Sequence, residues 1–183
     1  MFAGARLVRG TCQDDSFPPG NSRPGPGRSC GCAVHLLRKS VSTNWLVTIH
    51  QDLSIPVGKP VHHAELSGWS EKEDALYVQP PVELLQELVA IRLNLDACGE
   101  HDGSLRVVPG SHVMGRLSPD LARSIRDDCG EVACPALRGS AMAMRPLLLH
   151  ASSKARGASK RRVLHVLFGP RSLPYGLQWQ HSA

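Results

Sequence analysis

At the end of a run rich in β-branched and aromatic residues, residues 45–50 (WLVTIH), the chain reads His50-Gln51-Asp52. Residues i and i+2 of a strand point to one face, so an imidazole and a carboxylate would project together from a stiff support. A second histidine, His150, closes the apolar run at residues 147–149. Two histidines and one carboxylate on one face of a cation leave three coordination positions open. That is the facial arrangement of non-haem Fe(II) sites, in which a co-substrate chelates the metal and O₂ binds beside it. Alone, the His-x-Asp triplet is short enough to arise by chance. Its competing reading is a strand-end histidine capped by a neighbouring carboxylate. For His150 it is a partly buried ring satisfied by a main-chain carbonyl.

From residue 150 to residue 171 there are six Lys/Arg and no acids. Arg161 and Arg162 open a strand-like segment, so their side chains face opposite sides and one of them can share a cavity with His150. A guanidinium pairs with a carboxylate in bidentate fashion. A dicarboxylate chelating a metal at one end would need such a cation at the other. A solvated basic loop or a phosphate-binding patch is the competing reading.

These groups need elements to hold them. Residues 32–38 and 45–50 read as strands, and residues 53–76 as a long loop containing Pro56, Gly58, Pro60 and Gly68. Residues 81–87 read as a helical turn with proline at its start. Residues 88–96 alternate, Val89, Ile91, Leu93 and Leu95 on one face and Arg92, Asn94 and Asp96 on the other, which predicts one buried apolar face and one polar face. On that polar face Arg92 and Asn94 are cleft candidates or ordinary solvated residues, with equal claim. A turn at 99–103 leads to a short strand at 105–108 and the Pro-Gly-Ser-His turn at 109–112. The clearest helix is 118–127, with Ser118 as N-cap and Pro119 at its first position. Residues 141–150 and 161–168 read as strands. Seven of the twelve residues at 16–27 are Pro or Gly, which excludes helix and central strand there. Residues 1–28 are therefore expected to be poorly ordered, and residues 29–183 to form the domain. Short strands, Gly/Pro turns and one or two short helices predict a mainly β fold, a small sandwich or jelly roll.

Composition removes other classes. In 183 residues and 19.8 kDa, 42% hydrophobic and 20% charged residues support one folded domain. Aromatics are 4%, too few for a platform of stacked bases. The formal charge of +5 is uneven: residues 1–43 carry six Lys/Arg against two Asp, and residues 44–183 carry fifteen against fourteen acids. The near-neutral domain argues against nucleic acid. No apolar run reaches the roughly 20 residues of a membrane span. The six cysteines form no CxxC pair, which argues against structural zinc, and the start lacks a secretory apolar core. A cytoplasmic protein with reduced thiols is expected.

The blocks Asn44-Trp45…His50-Gln51-Asp52, RLNLDACGEHDGSLRVVPGSH (92–112), MRPLLLHASS (144–153) and KRRVLHVLF (160–168) together resemble the phytanoyl-CoA dioxygenase family of Fe(II)/2-oxoglutarate-dependent oxygenases. The resemblance runs from about residue 32 to the C-terminus, with all blocks in family order. It implies a double-stranded β-helix (jelly-roll, cupin-like) core with the metal at the barrel mouth. It implies Fe(II) on His50, Asp52 and His150, and 2-oxoglutarate held by Arg161 with help from Ser152 and Lys39. It implies hydroxylation of a small organic substrate by O₂, with succinate and CO₂ as co-products. Asp52 favours hydroxylation over halogenation. Gln51 is expected to support the loop, Arg162 and His112 to be structural, and His62 and His63 to face solvent. Substrate choice is expected in residues 53–76 and the N-terminal segment.

Relatives carry a longer N-terminal region whose helices pack on one sheet. Its shortness here predicts an uncovered apolar sheet face, where a homodimer would form. It also supports the alternative of a truncated, catalytically inactive jelly-roll remnant that binds metal or a partner.

Overall fold

The computed structural model describes residues 29–39, 44, 46–72, 74–156 and 161–180; within the first strand, only the Leu37 side chain is described. The expectation for residues 1–28 lies outside these. Among the described residues, eleven strands and two α-helices run in the order β1 (Ser29–Lys39), β2 (Val47–His50), β3 (Ile55–Val57), β4 (Ser67–Lys72), β5 (Ala75–Gln79), α1 (Val82–Glu87), β6 (Val89–Asn94), β7 (Leu105–Val107), α2 (Pro119–Cys129), β8 (Val132–Cys134), β9 (Ala141–Met144), β10 (His150–Ser152) and β11 (Arg161–Pro170). Two four-stranded antiparallel sheets, β1-β11-β6-β9 and β2-β10-β7-β8, enclose the core. Apart from β7 and β8, which pair directly, chain neighbours among these eight strands fall in opposite sheets, so the strands wind as a double-stranded β-helix. A small sheet, β3-β5-β4, is added beside it.

β11 shows how sequence builds this wall. Its centre is Val163, Leu164, Val166, Leu167 and Phe168, side chains that suit a strand, and burial alternates from Arg161 inward to Arg162 outward. Asp96 at the end of β6 holds the outward partner: its carboxylate accepts from Arg162 Nε and Nη2 at 2.8 Å each, and from the Arg162 backbone N–H at 3.0 Å. This arrangement leaves Arg161 buried at 5% exposure.

Three expectations are corrected. Residues 53–76 are not a loop: β3, β4 and the approach to β5 lie there, paired in register from Ile55↔Val78 to Val57↔Leu76 and from Ser67↔Gln79 to Lys72↔Ala75. Pro56 lies inside β3 and Gly68 inside β4, and neither prevents the pairing, because both strands are edges of a short sheet. Residues 141–150 are not one strand: the chain leaves β9 after Met144, turns through Pro146, and enters the opposite sheet at His150. In β6 the buried face is the polar one. Ala90, Arg92 and Asn94 are buried, while Val89, Ile91 and Leu93 are half-buried on the outer side. Alternation locates two faces, but a polar cavity inverts which of them looks inward.

α2 begins as its sequence predicts, with Leu121 N–H donating to the Ser118 hydroxyl at 3.3 Å and proline in the first turn. Its Ala122 and Ile125 pack on Ile49, Val108 and Leu149, the outer face of the second sheet. That contact decides which way the residues following Ile49 and Leu149 point.

Candidate metal centre

β2 and β10 are antiparallel neighbours in which His50 lies opposite His150 and Val47 opposite Ser152. Three residue steps on β2 thus match two on β10, a β-bulge. With Ile49 held outward against α2, the extra residue lets both Val47 and His50 border the interior. His150 and Ser152, two apart on β10, border it as well. The imidazole centroids are 4.2 Å apart.

Each ring is aimed by its own strand. His50 Nδ1 lies 2.8 Å from the Thr48 carbonyl, and His150 Nδ1 lies 2.9 Å from the Leu148 carbonyl. Donation from both Nδ1 atoms leaves each Nε2 with a free lone pair, the tautomer a metal ligand needs. Those Nε2 atoms meet the two oxygens of Asp52 at 3.6 Å each. One ligating atom from each of His50, Asp52 and His150 falls within 4.8 Å of the others. Two neutral imidazole nitrogens and one carboxylate fit a first-row divalent cation bound on one face.

Electrostatics favour an ionised Asp52 and a neutral His150, and hold a proton more tightly on His50. Burial pushes the Asp52 carboxyl upward, but the His50 hydrogen bond and the His150 and His50 charges outweigh it, so the group sits well below the ordinary carboxylate range. For His50, burial lowers and Asp52 raises, with a net rise; for His150, burial dominates and the ring is lowered toward neutrality.

The triad is braced by groups around it. Gln51 faces away from it and is buried; its amide donates to the Gly115 and Leu147 carbonyls at 2.8 and 2.7 Å, and its oxygen accepts from Leu117 N–H at 2.9 Å. Asp52 N–H donates to the Pro146 carbonyl at 2.9 Å. The His-x-Asp segment is therefore fastened to the turn that delivers His150. Ser111 works from the other side: its hydroxyl accepts from Leu149 N–H at 2.9 Å and donates to Val108 at 2.8 Å, with no exposure at all. Ser111 carries the function of the Pro-Gly-Ser-His turn; His112 beside it is half-buried and outside the cavity.

A cavity of about 490 Å³ opens in front of the triad. His50, Asp52, His150, Ser152 and Arg161 all line it. Arg161 Nη1 donates to the Gly103 carbonyl, while its Nε is buried without a hydrogen-bond partner among the described residues. Lys39 lies opposite Arg161 in the β1–β11 register, and its side chain lies outside what is described. Arg92 lines the cavity; Asn94 instead holds the turn before β9, donating to Ser140 at 3.3 Å. His62 and His63 are exposed. From residues 53–76, Leu53, Ser54, Ile55, Pro56 and Lys72 line the cavity, and Lys72 Nζ stands 5.6 Å from the centroid of Tyr77. His165 was not singled out from sequence. Its position four residues after Arg161, on the same face of β11, was the available signal.

The sequence model of a family described as phytanoyl-CoA dioxygenase matches residues 13–163. No curated protein matches the chain. Among solved structures, AviO1 from Streptomyces viridochromogenes is similar at 21% identity and a TM-score of 0.55, over 80% of this chain and 53% of that one. EctD from S. alaskensis, solved with 2-oxoglutarate and 5-hydroxyectoine, is similar at 15% identity and a TM-score of 0.57, over 81% of this chain and 48% of that one. SnoK, a non-haem alpha-ketoglutarate-dependent carbocyclase from nogalamycin biosynthesis, is similar at 16% identity and a TM-score of 0.53, over 79% and 51%. These likenesses bear on the fold, and the chain spans about half the length of these proteins.

Proposed function

The chain belongs to the phytanoyl-CoA dioxygenase family, and from that premise we propose that it is an Fe(II)- and 2-oxoglutarate-dependent oxygenase that hydroxylates a small organic substrate. The observation that carries this reading is the convergence of His50, Asp52 and His150, with both Nε2 lone pairs and a carboxylate turned to one point in front of a cavity. Residues 29–183 form the catalytic domain in this reading.

His50, Asp52 and His150 hold Fe(II) on one face and leave the cavity side open. When bound, the metal supplies O₂ activation coupled to decarboxylation of 2-oxoglutarate to succinate and CO₂. The protein's part is to bind and orient. Arg161 is already desolvated, and its partnerless Nε makes it a strong site for the far carboxylate. Ser152 lies on the same inner face of β10 as His150 and adds a hydroxyl beside it. Lys39 is the further cation, from the strand that pairs with β11. Leu53, Ile55, Leu88, Leu105 and Leu167 add apolar wall between the polar groups, which limits water at the reacting atoms.

The test is anaerobic. Fe(II) followed by 2-oxoglutarate gives a visible charge-transfer band in the wild type. The band is abolished in His150→Ala and needs much more 2-oxoglutarate in Arg161→Ala. A folded wild-type protein that gives no band overturns the oxygenase reading and favours a non-catalytic jelly roll that binds metal or a partner.

A further inference from the structure

A second buried guanidinium shares the cavity. Arg92 on β6 is 7% exposed and lines the same space as Arg161. Among the described residues neither forms an ion pair. Arg92 Nη1 is 3.3 Å from Nδ1 of His165, its register partner on β11, and an uncharged ring does not neutralise it. Burial, and next the charge of Arg161, pull the Arg92 guanidinium down to about 10, which leaves it cationic at neutral pH. Two like charges buried together without a counter-ion oppose folding unless an anion is meant to join them. Asp52 is the single acid among the described residues lining the cavity, and it belongs to the metal.

The two arginines address different ends of the cavity. Arg92 is level with His165, its register partner on β11, and both line the cavity that holds the triad. Gly103, which receives Arg161, lies two residues before Leu105, the partner of Ser152, whereas His150 pairs with Val107, so Arg161 takes the end farther from His150 and leaves Arg92 the nearer one. Arg161 lies four residues away along the same face of β11, anchored to Gly103. We propose that Arg92, seated on His165, is a second co-substrate-binding residue, which takes the carboxylate of the 2-oxo acid at its metal end while Arg161 takes the far one. A chelating 2-oxo acid uses one carboxylate oxygen on the metal and leaves the other for an external donor. One dianion would then meet two guanidiniums, one at each end. This inference rests on the iron and 2-oxoglutarate reading above.

Pyruvate separates the two ends, because it keeps the metal-end carboxylate and lacks the far one. Chelate formation is titrated anaerobically with Fe(II), following the charge-transfer band, for 2-oxoglutarate and for pyruvate. Arg161→Gln is expected to weaken 2-oxoglutarate by about ten- to a hundredfold and to leave pyruvate unchanged. Arg92→Gln is expected to weaken both by the same factor, about tenfold or more. Metal affinity, read with Co(II), is expected to stay level or rise in Arg92→Gln, because a cation has been removed from beside the triad. A merely structural role would lower it. Arg92→Lys keeps the charge but not the fork; it covers the case in which Arg92→Gln does not fold, and is expected to recover part of the affinity for both acids.

Pyruvate binding in a folded Arg92 variant within about twofold of wild type overturns the inference while leaving the oxygenase reading intact. Absence of any band in the wild type overturns both.

Discussion

Arg161 points into the cavity because its neighbour is tied outside. Asp96 is pulled down to about 2, first by its hydrogen bond from Arg162 and then by that residue's charge, with burial opposing. A carboxyl depressed in the folded state contributes stability above its unfolded value of 3.8 and loses it as pH falls through about 2. Asp96→Asn cannot titrate, so its denaturation midpoint is expected to fall less steeply than that of wild type over this interval, and the difference to shrink in high salt. Equal slopes would show the pair to be ornamental. The same variant frees Arg162 to compete for the inward position, which a weakened 2-oxoglutarate titration would register. At this scale the site was largely legible. His50, Asp52, His150 and Arg161 stand out as residue types whose spacing suits one chemistry. Ser111 did not, because its work is done by a hydroxyl on a main-chain group 38 residues away, and nothing in a sequence marks that.

Among the elements, the turn that precedes β7 is the most exacting. Gly103 has φ +69°, and a Cβ there would lie 2.4 Å from the Ser153 carbonyl oxygen, on the stretch just after the ligand strand β10. Its own carbonyl receives Arg161. Gly103→Ala is expected to destabilise the fold by about 1–3 kcal/mol, from the left-handed conformation and the clash together. It is also expected to weaken 2-oxoglutarate more than it weakens pyruvate, since it disturbs the Arg161 end. Thermal unfolding and the two titrations read the two effects separately. Strands with strong alternation, β6 and β11, and the capped helix α2 were legible. β8 was not: its three residues, Val132–Cys134, are largely exposed and pair only because β7 offers an edge. The β3-β5-β4 sheet was hidden by its prolines and glycines, which edge strands tolerate as readily as loops do. The inner face of β6 was misread because hydrophobicity reports where carbon lies, and a co-substrate cavity places nitrogen inside.

For the molecule as a whole, the cavity divides two sheets that otherwise close on a shared core of Ile55, Val57, Leu85, Leu88, Leu147 and their neighbours. Its charges come from both sheets: Asp52 follows β2, whereas Arg92 and Arg161 belong to β6 and β11. A metal and a dianion bound between them therefore stabilise the fold rather than one loop. With Co(II) and 2-oxoglutarate each present, and the acid at about a hundredfold its dissociation constant, the gain from the acid is expected to be about 2.7 kcal/mol. For a chain of this size that is a rise of about 5–10 °C in Tm. Either component omitted removes most of the rise; a rise with the acid alone would place the binding energy in the arginines.

The bulge in β2 has one more consequence. A flawless ladder between β2 and β10 is only a single deletion away, at Thr48. Such a chain would gain regular pairing and keep Val47 and His50 on one face, but it would lose the Thr48 carbonyl on which His50 Nδ1 rests. The irregularity thus carries the main-chain acceptor that aims one ring, and a sequence optimised for backbone regularity alone would discard that acceptor first.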